Sequence, residues 1–225
     1  MINKIISSRY SPLTISIILG LIALLVSYEY GMFWDNVLFA SKMGNHLYEN
    51  GIFDWTIPDN FDPGHPPFLA FLLAVAWKLF GHSLWVSHLT MLPFITGTVY
   101  QLYHFTNYYV KNKSIAYLGL LLILVDPTLM TSFVLVNPET ISVFFFFLTI
   151  NGILYQKNNW KFIGLFLLSI ITFRSMMLFA GLLLFDILND SIIQKKKIKE
   201  LINFRMLGFY SVAALPGIIF VIWRL

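Results

Sequence analysis

The chain has 225 residues, of which 58% are hydrophobic and only 12% are charged. A soluble domain carries about 25% charged residues, and a fold of this size cannot hide so much apolar surface around one water-facing core. A soluble globular enzyme and a disordered chain are therefore excluded. The absence of Cys excludes disulfides, Cys-ligated zinc and thiol nucleophiles, and the net charge of +4 lies between apolar runs rather than in a nucleic-acid patch.

The class that remains is an all-α, polytopic transmembrane helical bundle, read as a single membrane domain over residues 1–225. Leu13–Val26 is the first apolar run, preceded by Lys4 and Arg9. No small-residue cleavage site follows it, so it reads as an anchor helix at about 11–30, with Pro12 in its first turn. Residues 31–67 form the longest polar stretch and carry Asp35, Glu49, Asp54, Asp59 and Asp62 against Lys42 alone. A stretch of this length between membrane helices is usually functional.

Further apolar runs follow at 68–80, 84–109, 115–130, 140–155, 162–173, 175–188 and 206–223, separated by Lys111 and Lys113, Lys157 and Lys161, and the cluster Lys195–Lys197 with Lys199. The positive-inside rule puts Lys4 and Arg9 in the cytoplasm and the acidic 31–67 stretch outside. Lys111 and Lys113 then fall inside only if one of the two runs between 67 and 111 fails to cross. Run 68–80 is that run, because 13 residues reach roughly 20 Å, short of the ~30 Å hydrocarbon core. The expected layout is about seven spanning helices: a first helix, an outer loop with an interfacial helix over 31–83, and the remaining helices over 84–223. It places Asp35, Asp62, His65, Glu139 and Arg174 on one face.

Asp35, in Trp34-Asp35-Asn36, reads either as a solvated helix-end acid or as a carboxylate poised at a cavity mouth to orient an attacking hydroxyl or take its proton. Asp62-Pro63-Gly64-His65-Pro66-Pro67 is a rigid turn into an apolar helix, and His65 is either a packing residue or a hydrogen-bonding or metal-binding group. Glu139, in Asn137-Pro138-Glu139-Thr140, sits where a helix dipole favours an acid, yet an ionisable group against so apolar a helix is costly unless used or paired. Arg174 breaks the apolar stretch 162–184 and either snorkels to headgroups or meets an anion, for which its planar fork suits phosphate. Asp126-Pro127 should end or kink a helix. His82, His88 and His104 read as structural, Glu29, Lys78 and Asp186 as interfacial, and the Lys195–Lys199 cluster as a contact with anionic headgroups.

These residues together resemble GT-C type membrane glycosyltransferases, in the branch related to dolichyl-phosphate-mannose protein mannosyltransferases and lipid A aminoarabinose transferases. The resemblance rests on the acid after the first helix, Asp35; on Gly64-His65-Pro66-Pro67-Phe68 followed by Leu79-Phe80-Gly81-His82-Ser83; on Glu139 about a hundred residues later; and on Arg174 in Thr172-Phe173-Arg174-Ser175. Asn36 stands where many relatives carry a second acid, and Glu139 where Asp is common. Full-length relatives are longer, so the chain corresponds to their N-terminal half or to a compact member, and a partner chain completing the fold is one expectation.

The resemblance implies transfer of a sugar from a polyprenyl-phosphate donor to a lipid, glycan or protein acceptor, with inversion, at the outer face of a bacterial-type plasma membrane. Asp35 and Glu139 would be catalytic. Arg174 would meet the phosphate. Asp62, His65 and Trp34 would contact substrate, with Trp55 and Phe61 adding apolar faces. Asp35 and Glu139 are the candidate ligands if a divalent cation is used. The rival readings are a transporter or flippase for a lipid-linked or small polar substrate, against which the lack of an internal repeat counts, and a non-catalytic membrane subunit.

Overall fold

The computed structural model describes residues 10–193, 195 and 204–224. Lys4, Arg9 and, within the basic cluster, Lys196, Lys197 and Lys199 lie outside the described residues. Every regular element among the described residues is helical. They divide into two compact units, one up to Phe144 and one from Phe145 onward.

In the first unit, α1 (Ser11–Ser27) starts with Pro12 in its first turn, where a missing N–H costs no hydrogen bond. It packs along the long α4 (Leu84–Val110). His88 ties the two together at one end. Its Nε2 lies 2.9 Å from the Tyr30 carbonyl and its Nδ1 3.2 Å from Ser27 Oγ. A carbonyl can only accept, so Nε2 carries the proton. The expectation that His88 is structural agrees with this arrangement.

Between α1 and α4 the polar stretch folds instead of looping freely. A π-helical segment, Val37–Lys42, runs into α2 (Met43–Asn50), and both pack on α3 (Phe68–Phe80). Met43 and Leu47 recur one helical turn apart and are fully buried with Ile57, Ala70 and Ala74. Each such Met or Leu side chain contributes about 1.5–3 kcal/mol by leaving water. Gly44 makes the approach possible: a Cβ there would lie 2.9 Å from the Trp77 ring. Trp77 is itself fixed by donating from Nε1 to Ser87 Oγ at 2.9 Å.

Asn112 caps α5 (Lys113–Leu124) by accepting from Ser114 N at 3.0 Å. The apolar run 115–130 then breaks at Asp126-Pro127, as its residues predict. Asp126 Oδ1 accepts from Leu129 N at 3.0 Å and starts α6 (Pro127–Val134), bent 75° from α5. Pro supplies no N–H to continue the α5 ladder. α7 (Pro138–Leu154) runs on through the boundary at Phe144.

In the second unit, α8 (Asn158–Ile171) packs against both α9 (Phe173–Leu188) and α10 (Phe204–Arg224). A second π-helical segment, Asn189–Ile193, prolongs α9. Gly164 of α8 sits so close to α7 that a Cβ would lie 2.8 Å from the Phe145 carbonyl oxygen. α8 and α9 are separated at Thr172. Its hydroxyl accepts from Ser175 N at 3.1 Å while Ser175 Oγ accepts from Thr172 N at 2.8 Å. This reciprocal cap restarts the helix two residues before Arg174.

The expected count of about seven spans is not reached. Among the described residues two helices are long and apolar enough to cross a membrane, Phe173–Ile193 and Met206–Arg224, and a third is obtained if the bent pair α5–α6 counts as one span. The reason is length and polarity. Ser11–Ser27 and Pro138–Leu154 have 17 residues, Asn158–Ile171 has 14 and Phe68–Phe80 has 13, so even the longest of these reach only about 26 Å at 1.5 Å per residue. α4 has 27 residues but is interrupted by Ser87, His88, Thr98 and Gln101, all buried. The expectation of one large outer loop is also corrected. Hydrophobic burial folds 37–50 onto α3.

Candidate functional site

Asp35 is exposed at the start of the π-helical segment. Its backbone carbonyl accepts from Leu38 N at 2.9 Å and Phe39 N at 3.0 Å, which leaves the carboxylate outside the ladder. Trp34, before it, has φ of 53° and is 78% exposed. A bulky residue at positive φ is strained, and this one holds its indole in the open, with the Phe33 ring 6.0 Å away.

Asp62 Oδ1 accepts from Gly64 N at 2.7 Å, closing the turn at Gly64, whose φ is 78°. The turn directs His65 onto Phe39, their rings stacked at 5.2 Å and 22°. Asp35 thus lies one helical turn before Phe39, against which His65 stacks, and Asp62 closes the turn that leads to His65. Glu139 is exposed in the first turn of α7. Asn137 caps that turn by accepting from Thr140 N at 2.8 Å, and both Asn137 Nδ2 and Thr140 Oγ1 donate to the Ser132 carbonyl. The cap satisfies the helix start, so the Glu139 carboxylate is not consumed as an N-cap. Arg174 is exposed in the first turn of α9, in the second unit.

Among the described residues no group of three or more His, Asp or Glu could hold a metal ion.

Two polar arrangements escaped the sequence reading. The first is a pocket of about 360 Å³ beside α2, lined by Lys42, Asn45, His46, Glu49, Asn60 and Phe61 among others. Asn50 Nδ2 donates to His46 Nδ1 at 3.1 Å, so the proton of the neutral ring sits on Nε2. That Nε2 is 3.7 Å from Asp54 Oδ2. Asp54 accepts from the Thr56 hydroxyl and from Thr56 N, the latter at 3.3 Å. The Thr56 hydroxyl, with help from His46, holds the Asp54 carboxyl below its ordinary value of 3.8. The available signal was the Met43–Leu47 spacing, which marks one buried helix face and leaves Lys42, His46 and Glu49 on another.

The second arrangement centres on Asp186, which is 7% exposed. Lys161 Nζ donates to its Oδ2 at 2.8 Å, and the Tyr210 hydroxyl donates to the same oxygen. The Lys161 ammonium also lies 5.3 Å from the Phe209 ring centre. One acid from α9 thus joins a cation from α8 and a phenol from α10. Glu29 and Lys78, by contrast, are exposed.

No family model, curated protein or solved structure matches the chain.

Proposed function

We propose that the chain is a membrane glycosyltransferase that moves a sugar from a polyprenyl-phosphate donor to a lipid, glycan or protein hydroxyl at the outer face of a bacterial-type plasma membrane. The observation that carries this reading is the folded polar segment between α1 and α3, on which Phe39, one turn after Asp35, stacks on His65, and Asp62 closes the turn before His65. The two apolar helices able to span a bilayer agree with a lipid-borne substrate. Asp35, exposed and free of capping duty, takes the proton of the acceptor hydroxyl as its oxygen bonds to the anomeric carbon. The carbon–oxygen bond to phosphate breaks on the opposite face, inverting the centre, and the electron pair leaves with the phosphate. General-base catalysis of this kind is worth about 10²–10⁴-fold. Glu139 is proposed to orient substrate. Arg174 is proposed as a phosphate contact in its own unit, where its fork and the start of α9 both favour an anion.

A transfer assay with polyprenyl-phosphate sugars in membranes bearing the full chain tests this. Asp35→Asn should lower turnover about 100-fold or more, and Glu139→Gln should lower it too. Unchanged turnover in both variants rejects the assigned roles.

A transporter is the second reading, favoured by one observation: the partly buried Lys161–Asp186 pair with Tyr210 lies on apolar helices, where ionisable groups commonly mark ion or proton paths. Substrate movement into vesicles without a covalent product, lost in Asp186→Asn, would select it.

A further inference from the structure

We propose that the pocket beside α2 is a binding site for a neutral, hydroxyl-rich ligand of about one saccharide ring. This goes beyond the transfer reading and does not depend on it. The volume of about 360 Å³ falls within the span of small-molecule pockets. Its lining is unusually polar for such a site, and it carries charges of both signs, Lys42 and Glu49. A charged ligand would leave one of these uncompensated. A polyol can donate to Glu49 and Asn60 and accept from Lys42 with the same set of hydroxyls.

The Phe61 ring supplies the apolar wall on which the C–H face of a sugar can lie. It is itself held in place by packing against the Met43–Leu47 core. Asn45 Oδ1 and His46 Nε2 are buried and have no hydrogen-bond partner among the described residues, the latter standing 3.7 Å from Asp54 Oδ2, beyond hydrogen-bond reach. An acceptor and a donor left so are costly to bury. A ligand hydroxyl at either atom removes that cost. An acceptor and a donor together are what a ligand's hydroxyls match and what an anion or a cation alone does not.

The test uses the full chain in detergent and saturation-transfer NMR, with methyl α-D-glucopyranoside, methyl α-D-mannopyranoside and methyl β-D-galactopyranoside as probes, and inorganic phosphate and choline as charged controls. At least one glycoside should bind, with protection of its C–H face, and the signal should fall at least fivefold in Glu49→Gln and in Asn45→Leu. Phosphate should not compete. Phe61→Ala should also lose binding, and Glu49→Gln, which changes an exposed side chain, covers the case in which Phe61→Ala does not fold. Binding undiminished in Glu49→Gln and Asn45→Leu, no binding by any glycoside, or competition by phosphate or choline would each overturn the proposal. Glycoside binding that survives in Asp35→Asn supports it, and does so even if the transfer assay is blank. Sugar transfer without glycoside binding would leave the enzyme reading standing and remove this one.

Discussion

Lys161 Nζ lies 2.8 Å from Asp186 Oδ2, and the Tyr210 hydroxyl donates to that same oxygen. Three helices of the second unit are thereby pinned at one carboxylate. Removing one partner leaves a buried charge unmatched, which costs about 3–5 kcal/mol, whereas replacing both charges by apolar groups of similar volume is often neutral. Lys161→Met should therefore destabilise the unit by about that amount, and Lys161→Met with Asp186→Leu should recover most of it. Unfolding by graded detergent denaturation, read by circular dichroism, decides the matter.

His88 joins α1 to α4 through the Tyr30 carbonyl and Ser27. Its ring is buried, so His88→Leu leaves the Tyr30 carbonyl without its donor. The expected loss is about 1–3 kcal/mol. Ser27→Ala should cost less, because Ser27 Oγ also has the Ala23 carbonyl within 2.8 Å and the helix survives without it. Comparing the two variants by thermal unfolding checks the ranking.

Gly44 faces the Trp77 ring, and Trp77 is held by Ser87. Gly44→Val should therefore overpack the contact between α2 and α3 and cost about 1–3 kcal/mol. Because α2 carries the pocket, the same variant should weaken glycoside binding while leaving the Lys161–Asp186 pair intact. Limited proteolysis of the 37–67 segment would show the local loosening.

Asp54 is held below its ordinary carboxyl value by Thr56 and His46. A depressed acid contributes its stabilising contact above the unfolded value and loses it as pH falls through the folded value. The Thr56 contact should thus persist at neutral pH and be lost only well into the acid range, below about pH 3.8. Thr56→Val should move the Asp54 titration back up toward 3.8, which carboxyl-carbon NMR measures directly.

Much of this architecture could be read before any coordinates. Pro12, Asp126-Pro127, Glu139 and the break before Arg174 all mark helix starts, because caps and prolines act within one turn and their signal is local. Asp186 could not be read this way. An acid near the end of an apolar run has the same local context whether it meets water or an ammonium, and Lys161 is 25 residues earlier in the chain. The pocket beside α2 was hidden for a related reason. Lys42–Asn50 is polar overall, and only the burial of Met43 and Leu47 against Ala70 and Ala74 turns it into a helix with an inner and an outer face. Span count failed because short apolar runs such as 140–155 and 162–173 were accepted as crossings, while the helices they form, Pro138–Leu154 and Asn158–Ile171, have only 17 and 14 residues.

The chain has no Cys, so single-Cys variants report one position each. Asp35 and Glu139 are both exposed, and the proposed chemistry requires both on the extracytoplasmic side. Asp35→Cys and Glu139→Cys should each react with a membrane-impermeant maleimide added to intact cells. Labelling of Glu139→Cys only after the membrane is opened would contradict the account.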